Sequence, residues 1–182
     1  MRRVECTGRH LSSEVKTWVL APFIAIAGGI LGILGAVIRE ILYFSYILLF
    51  VAAPMIEEAL KPTGLYLVLV LWPGVLGGRR VYTALLSGLA GLTFAFIENI
   101  FYLNIYFPEH TVELVFFRYT AGVGIHVACS FILGFGINEK LLSSIKGEIP
   151  LLQGNKKFFF IPMILHSLYN IIVTFFGRRF GL

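Results

Sequence analysis

Six stretches of this chain, residues 18–38, 41–60, 63–76, 81–106, 112–142 and 158–176, are apolar over lengths that approach or exceed a bilayer's thickness. Hydrocarbon offers no water to backbone N–H and C=O groups, so a segment inside it must satisfy them internally, as a helix or in a closed barrel. A barrel would show alternating segments of about ten residues, and the sequence has none. The expected fold is therefore all-α: a polytopic transmembrane helical bundle of about six membrane segments around a polar cavity. With 58% hydrophobic and 14% charged residues in 182, a soluble fold of this size could not hide the apolar surface. The expected location is the cell membrane, as a multi-pass protein, with the lipid bilayer as its first partner.

The chain reads as one integral membrane domain over 1–182, with a polar N-terminal segment at 1–17 and an extramembrane loop at 143–157. Residues 63–76 are short for a crossing and contain Pro73, so a tilted or half-crossing element is expected there. Small residues recur at four-residue spacing: Ala21, Ala25 and Gly29, with Gly28 and Gly32 beside them, then Ser87, Gly91 and Ala95. Such ridges let helices approach closely where lipid supplies no hydrophobic drive between them. Gly122, His126, Ser130 and Gly134 form one stripe, which aims His126 at other helices.

The net charge is +5, and the basic residues gather at segment ends, as interfacial anchors do. No contiguous basic face with interleaved aromatics suits a nucleic acid. Six alternating crossings would leave seven Lys and Arg side chains at each membrane face, so charge alone assigns no orientation. Cys6 and Cys129 lie too far apart in sequence and setting to imply a disulfide or thiolate metal site.

Against this background Glu57-Glu58, Glu98, His126 and His166 stand out. An ionisable side chain near the bilayer centre costs at least about 2.5–3.5 kcal/mol when charged, and such residues gather where they do chemistry. All ten acids are glutamates, which excludes an intramembrane aspartyl enzyme. Glu57 and Lys61 stand at i and i+4, an order that favours pairing. Glu98 lies eighteen residues beyond Arg80, and Glu57 eighteen beyond Arg39, about 27 Å of helix rise in each case. Spanning helices would bring both acids to the same side. His166 and Asn170, again i and i+4, can face one cavity.

These groups supply what peptide-bond hydrolysis needs. A buried glutamate can act as general base on water, and histidine and asparagine can donate to the oxyanion that forms. The same atoms could hold zinc, since two histidines and a glutamate with an open position form a catalytic zinc pattern; Glu98, His126 and His166 would be that set. No HExxH occurs, and metal-dependent and metal-free chemistry both remain open on residue types.

Glu57-Glu58-Ala59-Leu60-Lys61 (EExxK), Phe94 to Glu98-Asn99 (FxxxEN), His126, and His166 with Asn170 follow one another in the order of the PrsW intramembrane proteases. The chain resembles that family, within the superfamily of the type II CAAX prenyl endopeptidases, over about two-thirds of its length. A prenyl endopeptidase would more typically carry EExxxR, and histidine where Glu98 stands. The resemblance implies that Glu57 and Glu58 are essential carboxylates, with Glu57 the base. Glu98 would be the third carboxylate, His126 and His166 the imidazoles, and Asn170 a helper of His166 at the oxyanion. It also implies a membrane-anchored protein substrate, such as an anti-sigma factor cut at its extracytoplasmic side.

Three other readings compete. Ser87-Gly88 lacks the preceding glycine of a GxSG motif, which weakens a serine intramembrane protease. A non-catalytic scaffold or chaperone subunit of the same superfamily is weakened by the presence of every expected polar residue. A proton-coupled transporter usually shows two related halves, and this chain has none.

Overall fold

The computed structural model describes residues 18–34, 48–106 and 108–177, and all regular structure within them is helical. The expected segment 1–17, the end of the first apolar stretch and residues 41–47 lie outside the described residues. We number the helices α1 (Trp18–Leu34), α2 (Ala53–Leu60, entered through a π-helical turn at Leu48–Ala52), α3 (Thr63–Leu71) and α4 (Pro73–Leu76). They continue with α5 (Arg80–Phe101, extended by a π turn at Tyr102–Tyr106), α6 (Val112–Gly134), α7 (Glu139–Ile145) and α8 (Lys156–Phe176).

Among the described residues three helices, Arg80–Ile105, Val112–Gly134 and Lys156–Phe176, are long and apolar enough to cross a membrane; parts of the first two of the six segments expected from sequence lie outside the described residues. Two differences have local causes. Pro73 disfavours helical backbone at the residue before it, and Trp72 sits at φ −138° and ψ 64°, so residues 63–76 break into α3 and α4. The stretch 112–142 ends early, at Gly134. Asn138 then starts α7, its Oδ1 accepting from the Lys140 N–H at 3.0 Å. At nine residues α3 rises only about 13 Å, less than half the hydrocarbon thickness.

The small-residue ridges are where the backbones meet. α5 and α6 run antiparallel, and a methyl on Gly91 would stand 2.5 Å from Ser130 Oγ and 2.7 Å from the His126 carbonyl oxygen. A methyl on Gly134 would stand 2.5 Å from Ala84 Cα. Gly28 of α1 leaves similar room for Gly64 of α3, and Gly29 for the Ala90 carbonyl of α5. Outward faces are apolar, with Leu85, Phe96, Ile100, Phe116, Ile164 and Ile172 exposed, the kind of surface lipid covers.

At one end of the bundle Asn138 and Asn155, both buried, exchange amide hydrogen bonds at 2.9 and 3.2 Å. Asn155 also donates to the Gly136 carbonyl at 3.1 Å. This clasp fixes the connection from α6 to α8, and therefore the register of His126 against His166. Between them α7 runs to Ile145, and α8 starts at Lys156.

Candidate active site

Four helices each carry part of one buried polar chain. α2 brings Glu57 and Glu58, with Lys61 as its C-cap, α5 brings Glu98 and Asn99, α6 brings Arg118 and His126, and α8 brings His166. Glu57, Glu58, Lys61, His126 and His166 are all buried. The contacts run in sequence from one helix to the next. Arg118 Nη2 donates to Glu98 Oε2 at 2.9 Å, and the same oxygen lies 3.0 Å from His126 Nε2. His126 Nδ1 is 2.8 Å from Lys61 Nζ, which is 2.5 Å from Glu58 Oε1. Glu58 Oε1 is 2.9 Å from His166 Nδ1, and His166 Nε2 lies 3.8 Å from Glu57 Oε2. The two imidazoles meet edge to face, with centroids 4.7 Å apart.

Donor and acceptor rules assign the protons. An ammonium only donates and a carboxylate only accepts. His126 therefore takes Lys61 at a bare Nδ1 and gives its Nε2–H to Glu98. His166 gives its Nδ1–H to Glu58, which leaves the Nε2 lone pair facing the Glu57 carboxylate. Two acceptors that face each other suit a cation or a proton between them. Glu57, His126 and His166 can each bring one ligand atom within 4.8 Å of the others. Behind them Glu58 and Glu98 hold the second ring nitrogens, the carboxylate–histidine support usual around metal-binding imidazoles. The residues present thus fit a divalent metal. Glu58 Oε2 is buried and makes no hydrogen bond among the described residues.

Every residue expected at the site from sequence lies on one of these four helices, but the grouping differs in detail. Glu57 shares the cluster with the two histidines, whereas Glu98 stands on the far side of His126, beside Arg118. Lys61 closes its ion pair with Glu58, three residues back, and not at the i, i+4 spacing anticipated for Glu57. Its ammonium also lies 4.3 Å from the centre of the Phe94 ring. Asn170, one turn past His166, is half-buried and shows no hydrogen bond to the cluster among the described residues.

Arg118 escaped the sequence reading. It locks Glu98 and Asn99 together, since its Nε donates to Asn99 Oδ1 at 2.9 Å while Asn99 Nδ2 donates back to its carbonyl at 3.0 Å. The clue was available one helical turn before Gly122, on the stripe that carries His126. The π turn Arg118–Gly122 absorbs more residues than an α turn, which returns Arg118 to the His126 face. Tyr169 was also passed over. Its ring stacks on Phe117 at 6.1 Å and its buried hydroxyl has no hydrogen-bond partner among the described residues.

No curated protein and no solved structure shows a significant match to this chain. A family model described as PrsW family intramembrane metalloprotease matches residues 15–181 of the 182. With nearly its whole length matched, and with the motif glutamates and histidines linked in one polar cluster, the chain belongs to the PrsW family of intramembrane proteases.

Proposed function

We propose that this protein is an endopeptidase that hydrolyses peptide bonds of membrane-anchored proteins by activating water at Glu57, in a multi-pass protein of the cell membrane. The observation that carries the reading is the convergence of Glu57, His126 and His166 in a buried site whose outer nitrogens are already held by carboxylates. Glu57 takes a proton from the attacking water and returns it to the leaving amide nitrogen, as a general base and then a general acid. Glu58 orients His166, and Glu98 with Arg118 orients His126. Asn170 supplies a donor to the carbonyl oxygen as charge develops on it. That is the metal-free form of the reaction; the metal that the family description implies would be held by Glu57, His126 and His166, with Glu57 then a ligand in place of the base, and when bound would supply Lewis acidity.

Charge supports an orientation. Arg79, Arg80, Lys140, Lys146, Lys156 and Lys157 belong to the end where α5 and α8 begin and α6 finishes. The short connection from α5 to α6 holds Glu109 and His110, with Glu113 following, and no Lys or Arg among the described residues. By the positive-inside rule the basic end faces the cytoplasm. Glu98 then lies about 10 Å of helix rise from the opposite end of its span. The site is reached from the extracytoplasmic side, which suits regulated cleavage of an anti-sigma-like substrate there.

The test is cleavage of a single-pass membrane peptide library by the purified protein in liposomes, wild type beside Glu57→Gln and His166→Ala. Loss of turnover by at least about 100-fold in both, the lower range for removing a general base, supports the assignment. Unchanged turnover in Glu57→Gln overturns it.

A further inference from the structure

Lys61 is the most buried cation among the described residues and stands where nothing in the hydrolytic reading requires one. Its ammonium sits 2.8 Å from His126 Nδ1, the one lone pair that His126 has left once Nε2 is committed to Glu98. It sits 2.5 Å from Glu58 Oε1 and over the Phe94 ring. We propose that Lys61 is a built-in cation that competes with the divalent metal for His126 Nδ1, holding the donor set together while the metal is absent and weakening its binding. This rests on the metal reading of Glu57, His126 and His166 given above.

The charges make the logic concrete. Glu57, Glu58 and Glu98 set three carboxylates against two fixed cations, Lys61 and Arg118. Without a metal the cluster carries a formal charge of −1, which a bundle interior tolerates far better than the −2 it would carry without Lys61. A divalent ion brings the sum to +1 and must take the His126 lone pair from the ammonium. Lys61 then keeps Glu58 as its acceptor and gives up His126. The side chain is thus a placeholder that the metal partly displaces, and it sets how readily the site loads and empties.

The experiment is zinc titration of the purified protein in detergent micelles, in competition with a chromophoric chelator. Wild type is compared with Lys61→Met, whose flexible apolar chain fits beside Phe94. Glu58→Gln is compared with Glu58→Gln/Lys61→Met, a pair that removes both partners of the ion pair and so avoids an uncompensated buried charge. Removing Lys61 should tighten zinc binding at least about tenfold in whichever backgrounds fold, the lower range for a hydrogen bond to a charged group. Zinc bound by Lys61→Met but not by wild type supports the proposal equally. Affinity that is unchanged or weaker without Lys61 overturns it while leaving the metal reading intact. Zinc bound by none of these chains, or bound equally by His166→Ala, overturns the metal reading and this inference with it.

Discussion

Gly91 and Gly124 both lie inside apolar helices, and changing each to alanine should have opposite results. A methyl on Gly124 meets nothing within 4 Å, so Gly124→Ala gains only the helix preference of alanine, up to about 1 kcal/mol. A methyl on Gly91 meets Ser130 Oγ at 2.5 Å and the His126 carbonyl oxygen and Ser130 Cβ at 2.7 Å. Ordinary contact needs roughly 1 Å more. A backbone oxygen cannot rotate away, so α5 and α6 must separate, and overpacking of that kind costs about 1–3 kcal/mol. The propensity gain is common to both variants and cancels in their difference. Gly91→Ala should therefore be less stable than Gly124→Ala by about 1–3 kcal/mol, read as unfolding free energy in mixed micelles titrated with denaturing detergent. Glu98 lies two turns beyond Gly91 and reaches His126 at 3.0 Å, so the same separation should stretch that bond and weaken zinc binding. Equal stability of the two variants would mean that the helices are not in backbone contact at Gly91, and the assembly of the site from the α5–α6 seam would fall with it.

Asn155→Ala should lose about 1–3 kcal/mol, because its hydrogen bonds to Asn138 and to the buried Gly136 carbonyl are lost together; the same detergent titration reads it. Arg118→Ala should lose about 1.5–3 kcal/mol for its charged hydrogen bonds, and Arg118→Lys should recover only part, since one ammonium cannot reproduce the fork that holds Glu98 and Asn99. Unimpaired Arg118→Lys would show that the fork geometry is idle. Glu98→Gln should weaken zinc binding about 10–100-fold, the usual effect of losing a carboxylate behind a metal-bound histidine. Chelation should abolish cleavage of a membrane peptide and zinc should restore it; full activity in the presence of chelator would leave Glu57 as base without metal.

The fold class was legible because lipid leaves so few solutions, and the ridges of Ser87, Gly91 and Ala95 and of Gly122, Ser130 and Gly134 marked surfaces where helix backbones do meet. Glu57, Glu58, Glu98, His126 and His166 were legible for a related reason: an ionisable side chain in an apolar run needs a partner, and only another such residue can provide it. The number of crossings was less readable. Hydropathy measures composition, while Pro73 breaks a helix by backbone geometry and Asn138 starts a new one by capping, inside stretches that read as continuous by composition.

What sequence spacing could not assign was which charge answers which. Glu57 and Lys61 satisfy the i, i+4 rule, yet that rule describes an isolated helix in water, where both side chains are free to meet along its surface. Inside the bundle the acceptors on neighbouring helices decide. His126 Nδ1 from α6 and Glu58 Oε1 from α2 draw the Lys61 ammonium to one side, and the Phe94 ring of α5 lies across from it. Glu57 is left toward His166, where a carboxylate and an imidazole lone pair face each other 3.8 Å apart. By placing its cation on Glu58, the fold leaves Glu57 turned toward the second histidine, as either a base or a ligand must be. The division of labour between two adjacent glutamates thus comes from tertiary packing around Lys61, and removing that lysine is the perturbation that should blur it.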